Sequence, residues 1–140
     1  REYFMQFETK TAIIVRKDLE SWQKLNVTAF LMSGIIAEHP DMIGEAYQDR
    51  DGVLFSALSR QPVIVLAADA ATLGKIHRRA FDRGVKTAAY IEEMFSTGHD
   101  DANRAVFGSY GIDDARIVGI GLNADRKSVD KITKGAKMHS

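Results

Sequence analysis

The chain contains no cysteine. That one absence removes disulfides, thiolate nucleophiles and cysteine-ligated zinc together, and it makes a reducing cytoplasm the expected location. Proline is almost missing, with two residues in 140, so few points force a helix or strand to break. Apolar runs are short. None approaches the ~18 residues a membrane span needs, and the opening Arg1-Glu2-Tyr3-Phe4 lacks the basic-then-apolar layout of a signal peptide. No membrane role is therefore expected. Neither sign of charge is in excess: 19 basic residues balance 19 acidic ones, so a polyanionic partner can be argued only from how charge is distributed.

What is present fits one domain spanning residues 1–140, long enough to bury roughly two-thirds of its unfolded surface without metal or disulfide staples. Met5 is read as a native start, residues 1–9 as a tail, and 11–138 as an α/β core. Thr11 to Arg16 is a β-branched run of the kind found in buried strands. From Ser21 to Glu38 the apolar residues Trp22, Leu25, Ala29, Met32 and Ile36 recur at helical spacing, with Val27, Phe30, Leu31 and Ile35 on the flanks. This predicts a helix buried nearly all round, stopped before Pro40. Asp49-Arg50-Asp51-Gly52 predicts a hairpin turn between strands at 46–48 and 53–57.

Further on, strands are expected at 62–67, 85–91 and 116–121, and helices at 69–83, 102–109 and 125–136. Asp69 is placed to cap the first of these helices and Gly84 to end it. Strands alternating with helices imply right-handed parallel crossovers. The expected architecture is a three-layer α/β/α sandwich around a mainly parallel, mixed sheet.

The histidines at 39, 77, 99 and 139 show no i, i+4 pairing, so no metal site is expected. No serine sits in G-x-S-x-G. Gly119-Ile120-Gly121-Leu122-Asn123-Ala124 fits a dinucleotide pattern but has no second βαβ half behind it. Its glycines read instead as points of close strand–helix packing in a tight turn, and no cofactor is expected. Asn26-Val27-Thr28 fits a glycosylation sequon but lies within a helix of a chain expected in the cytoplasm. Two basic clusters, at 75–86 and 126–137, read either as solvated helix faces or as anion-binding surfaces. Lys24 stands among Trp22, Leu25 and Val27, where partial desolvation would lower its pKa and suit it to proton transfer or anion binding. It reads equally as a lysine lying over Trp22 with its head in water.

Ile13-Ile14-Val15-Arg16-Lys17-Asp18-Leu19, Lys24, Val118-Gly119-Ile120-Gly121 and Val129-Asp130-Lys131-Ile132-Thr133 together resemble type II peptidyl-tRNA hydrolase over about residues 11–138. The stretch from Trp22 to Phe30, with Thr97-Gly98-His99-Asp100, identifies the chain as a member of an uncharacterised bacterial family thought to share that hydrolase's fold. The resemblance implies an ester hydrolase acting on peptidyl-tRNA or a smaller acyl ester, with Lys24, Glu93 and Thr97 as catalytic residues. Asn26, Thr28, Lys131 and Lys134 would form the binding set, toward tRNA or a small anionic ligand. Several positions differ. Thr28 and Leu31 replace the hydrolase's glutamine and histidine, and Glu93-Met94-Phe95 replaces its D-A-G. Leu31 cannot move a proton as histidine does. The alternative is a non-enzymatic module that keeps the fold and binds an anion, a nucleotide or a protein. The apolar hairpin with Val53, Leu54 and Phe55 could also pair with its own copy as a homodimer.

Overall fold

The computed structural model describes residues 7–140; the expected start at Met5 lies outside them. Five strands form one sheet in the order β5-β6-β1-β4-β7. They are β1 (Thr9–Arg16), β4 (Val63–Ala68), β5 (Ala88–Ile91), β6 (Ile117–Asp125) and β7 (Lys137–Met138); β2 (Tyr47–Gln48) and β3 (Leu54–Phe55) form a separate hairpin. Four α-helices accompany them: α1 (Ser21–Glu38), α2 (Ala70–Asp82), α3 (Asp100–Phe107) and α4 (Arg126–Ile132).

Central β1 is apolar from Ala12 to Val15 because it is covered there on both faces. Successive side chains alternate between faces. Ile13 and Val15 pack with Val27, Leu31 and Ile35 of α1, while Ala12 and Ile14 pack with Leu73, Ile76 and Ala80 of α2 and with Val129 and Ile132 of α4. The three expected layers are thus present. Asp69 caps α2 by accepting a hydrogen bond from the Thr72 amide at 2.8 Å, and Asp125 caps α4 through the Ser128 amide at 3.0 Å.

The sheet is not mainly parallel. Only β1 and β4 pair in parallel; β6 runs antiparallel to both β1 and β5, and β7 antiparallel to β4. The reason lies in the connections. The segment between β5 and β6 holds one short 3-10 turn, Glu92–Ser96, and the eight-residue α3. That segment stays at the end of the sheet where β5 stops, with α3 lying against the 3-10 turn, so β6 re-enters there and runs back beside β5. At the C-terminus the expected helix stops at Ile132 rather than Ala136, and Gly135, at φ 99°, turns the chain back to form β7.

Gly119 and Gly121 lie inside β6, not in a turn. A Cβ on Gly119 would come within 2.5 Å of Val27 Cγ1, and one on Gly121 within 2.9 Å of Ile35 Cδ1. Close packing of strand on helix is therefore what these glycines serve. Burial of α1 is one-sided, contrary to expectation: Trp22, Leu25 and Phe30 are 59%, 73% and 50% exposed. Among the described residues no further layer covers that face, and residues 25–37 carry no charged side chain.

Candidate functional site

The three candidate catalytic residues have different partners. Lys24 Nζ lies 3.2 Å from His139 Nε2, just beyond β7. The other ring nitrogen of His139 is 2.8 Å from the Ser140 carbonyl. A neutral imidazole protonated on Nδ1 satisfies both contacts, donating to Ser140 and accepting from the lysine.

Glu93 follows β5 and accepts from Arg116 Nε at 2.8 Å through Oε2. Arg116 also faces Glu92, which Arg16 Nη1 reaches at 2.8 Å; Arg16 Nε in turn donates to Asp18 at 2.6 Å. These residues form an ion-pair chain along the end of the sheet where β1 and β5 stop. The Arg116 hydrogen bond holds the Glu93 carboxyl below its ordinary range against the opposing effect of burial. The Tyr110 phenol is pushed up by the same carboxylate. Oε1 of Glu93 is buried with no hydrogen-bond partner among the described residues.

Thr97 Oγ1 donates to the Met94 carbonyl at 2.9 Å and also contacts Asn103 Oδ1. It lines a groove between α1 and α3, a hollow of about 270 Å³ walled by Trp22, Asn26, Phe30, Tyr90, Phe95 and Asn103 together with Met94, His99 and Asp100. A wider hollow of about 590 Å³ shares Phe30, Tyr90, Met94, Asp100 and Asn103 and extends along α3 to Phe107. The aromatic wall is internally packed. Trp22 meets Phe95 edge-on at 6.0 Å between ring centroids, Tyr90 lies 5.2 Å from Phe95, and Phe30 lies 5.7 Å from Tyr90. Phe95 is thus part of this wall.

Neither Lys24 nor Glu93 lines the groove. Asn26 does; Thr28 Oγ1 instead donates to the Lys24 carbonyl one turn back at 2.7 Å. Lys131 and Lys134 are exposed on and just after α4, across the sheet from α1. The binding residues expected together are therefore divided between two faces. The basic cluster on α2 borders a hollow of about 570 Å³ with Asp113, yet its two arginines there are engaged: Arg78 pairs with Asp113 and Asp82, and Arg79 donates to the carbonyls of Ile132 and Lys134. Arg104, which lines the wider hollow, is paired to Asp100 at 2.8 Å.

Sequence reasoning did not single out Arg116, Asn103, Tyr90 or His139. Nothing in their spacing could have done so, because each reaches its partner only through the fold. His99 accepts from the Ala102 amide at 3.2 Å and caps α3. Its short motif Thr97-Gly98-His99-Asp100 was the one readable signal for this wall.

The fold and groove define a mixed α/β domain with an aromatic-walled recess whose one carboxylate, Asp100, is paired to Arg104. The chain belongs to the family described as "Protein of unknown function (DUF2000)", whose model matches residues 9–140. It is also similar to a solved structure from Agrobacterium tumefaciens, titled as a protein of unknown function, Atu0240. The two are 57% identical with a TM-score of 0.95, over 96% of this chain and 100% of that one. No curated protein matches it.

Proposed function

We propose that this protein is a non-enzymatic binding module that keeps the architecture of type II peptidyl-tRNA hydrolase but uses the α1–α3 groove to hold a small planar heterocycle of the nucleobase class. The observation that carries this reading is the composition of the 270 Å³ recess: four aromatic rings, two carboxamides, a hydroxyl and the His99 imidazole, with its one carboxylate, Asp100, paired to Arg104. Aromatic faces stack on heterocycles at ~1–3 kcal/mol per ring. The carboxamides of Asn26 and Asn103 each offer donors and an acceptor to a base edge. A free phosphate would find no counter-charge here, so a base or nucleoside suits the site better than a nucleotide bound by its phosphates.

The hydrolase reading needs Lys24, Glu93 and Thr97 around one reacting carbonyl. Each is instead held by a separate partner, His139, Arg116 and Asn103. A reducing cytoplasm, proposed from the cysteine-free sequence, would supply such ligands.

The test uses the chain's one tryptophan. Titration with adenosine, guanosine, cytidine and uridine should change Trp22 fluorescence saturably for at least one of them, and Asn26→Ala and Asn103→Ala should weaken that binding. Absence of saturation with all four overturns the ligand class. Release of peptide from a blocked aminoacyl-tRNA by the purified protein, lost in Lys24→Ala, overturns the non-enzymatic reading.

A further inference from the structure

Residues 45–56 are exposed without exception, and they carry Tyr47, Val53, Leu54 and Phe55, each more than half exposed; Leu58 follows at 59%. This is an arm rather than a flap lying on the body. Its root is secured by Arg60 N to the Met42 carbonyl at 2.7 Å and Gly44 N to the Leu58 carbonyl at 2.9 Å. Its tip is closed by Asp49, whose carboxylate accepts from the amides of Asp51 and Val53 at 2.9 Å each. Two-residue strands in an isolated hairpin are marginal in water, and apolar side chains presented on both of them need a surface to cover.

The outer face of α1, with Trp22, Leu25 and Phe30, is a second exposed apolar surface among the described residues. We propose that the arm of one copy packs on the outer face of α1 of a second copy, giving a two-fold dimer in which each chain supplies both surfaces. Such reciprocity is what a two-fold interface requires.

Area decides between this arrangement and arms pairing only with each other. Taking side chains of about 150–250 Å² for the aromatics and somewhat less for the aliphatics, the five arm residues expose roughly 500 Å². A standard stable interface takes ~800 Å² from each partner. Adding the three α1 residues brings the total to on the order of 900 Å². The arm alone falls short, and the arm with α1 suffices. Zero net charge leaves no global repulsion to oppose a second copy. An open hollow of about 390 Å³ between Tyr47 and Leu58, at the arm's root, gives a projecting side chain of the partner's α1 a place to seat. Because Trp22 and Phe30 also wall the groove, the partner's arm would lie along its rim. The proposal does not depend on what the groove binds.

The lack of native cysteine makes a direct test possible. Leu25→Cys and Leu54→Cys chains are prepared separately, each checked by circular dichroism for native helix content, then mixed and oxidised. The expected result is a disulfide-linked pair in the mixture, joining one chain of each kind, and little linkage in either variant alone. In parallel, the unaltered chain should sediment as a dimer, and Leu54→Asp as a folded monomer with at least a tenfold weaker self-association. Linkage in Leu54→Cys alone overturns the arrangement in favour of arm-to-arm pairing. A monomeric unaltered chain at tens of micromolar overturns the second copy as occupant and leaves the patch to another protein.

Discussion

Substituting Gly119 by alanine is the sharpest probe of how this fold holds together. Gly119 is buried in β6 beneath α1, and a new Cβ would approach Val27 Cγ1 at 2.5 Å and Leu31 Cδ1 at 3.0 Å. Val27 is fully buried and β-branched, so its methyl cannot swing aside. Either α1 lifts from the sheet or the strand distorts. Overpacking of this kind costs about 1–3 kcal/mol. Against it stands a gain of ~0.4–1 kcal/mol from a less flexible unfolded chain, leaving a net loss of about 1–2 kcal/mol. Two companions make the assay decisive. Gly74→Ala, exposed in α2 with nothing within 4 Å of its new Cβ, should stabilise by about 1 kcal/mol. Val27→Ala combined with Gly119→Ala should cost less than the sum of the two single changes, because the new methyl occupies space the valine vacates; neighbouring sites couple by ~0.5–3 kcal/mol. Urea unfolding followed by far-ultraviolet circular dichroism measures all four chains. A neutral Gly119→Ala, or strict additivity with Val27→Ala, would refute the packing of α1 on β6.

Four further outcomes are expected. Glu93 is held below its ordinary value of 4.5 by Arg116, so the folded state binds fewer protons than the unfolded one. Its contribution is complete above that value and lost as pH falls through the folded one. Glu93→Gln should therefore be less stable than the unaltered chain at pH 7 and equal to it in strong acid; a thermal-stability gap that persists at low pH would contradict the ion-pair account. Asn123 donates to Thr11 Oγ1 at 2.8 Å and to Gln61 Oε1 at 3.3 Å at the opposite end of the central strands. Removing it with Asn123→Ala leaves these acceptors short of a donor and should cost about 1–3 kcal/mol by urea unfolding, whereas a loss well under that range would mean water replaces the amide. Trp22 fluorescence should respond saturably to a nucleoside, less so in Asn26→Ala and Asn103→Ala. Oxidative cross-linking should join Leu25→Cys chains to Leu54→Cys chains.

The sequence by itself determined the local elements. Helix α1 has the predicted bounds, 21–38, because an apolar helical period and Pro40 both act within a few residues of the chain. The Asp69 cap, the positive φ of Gly52 and the hairpin it closes are local for the same reason. Family membership was legible because it rests on short motifs. Strand direction was not: β5 and β6 read as strands whichever way they run, and their antiparallel pairing is a tertiary outcome that no local pattern carries. The two-residue β7 is too short to carry a pattern and exists because β4 offers it an open edge. The groove is likewise a product of tertiary structure. Trp22, Tyr90, Thr97 and Asn103 come from four separate segments that meet only when α1 lies on the sheet and α3 folds back beside it. Lys24, Glu93 and Thr97 could be named from the sequence, but their partners, His139, Arg116 and Asn103, were chosen by the fold.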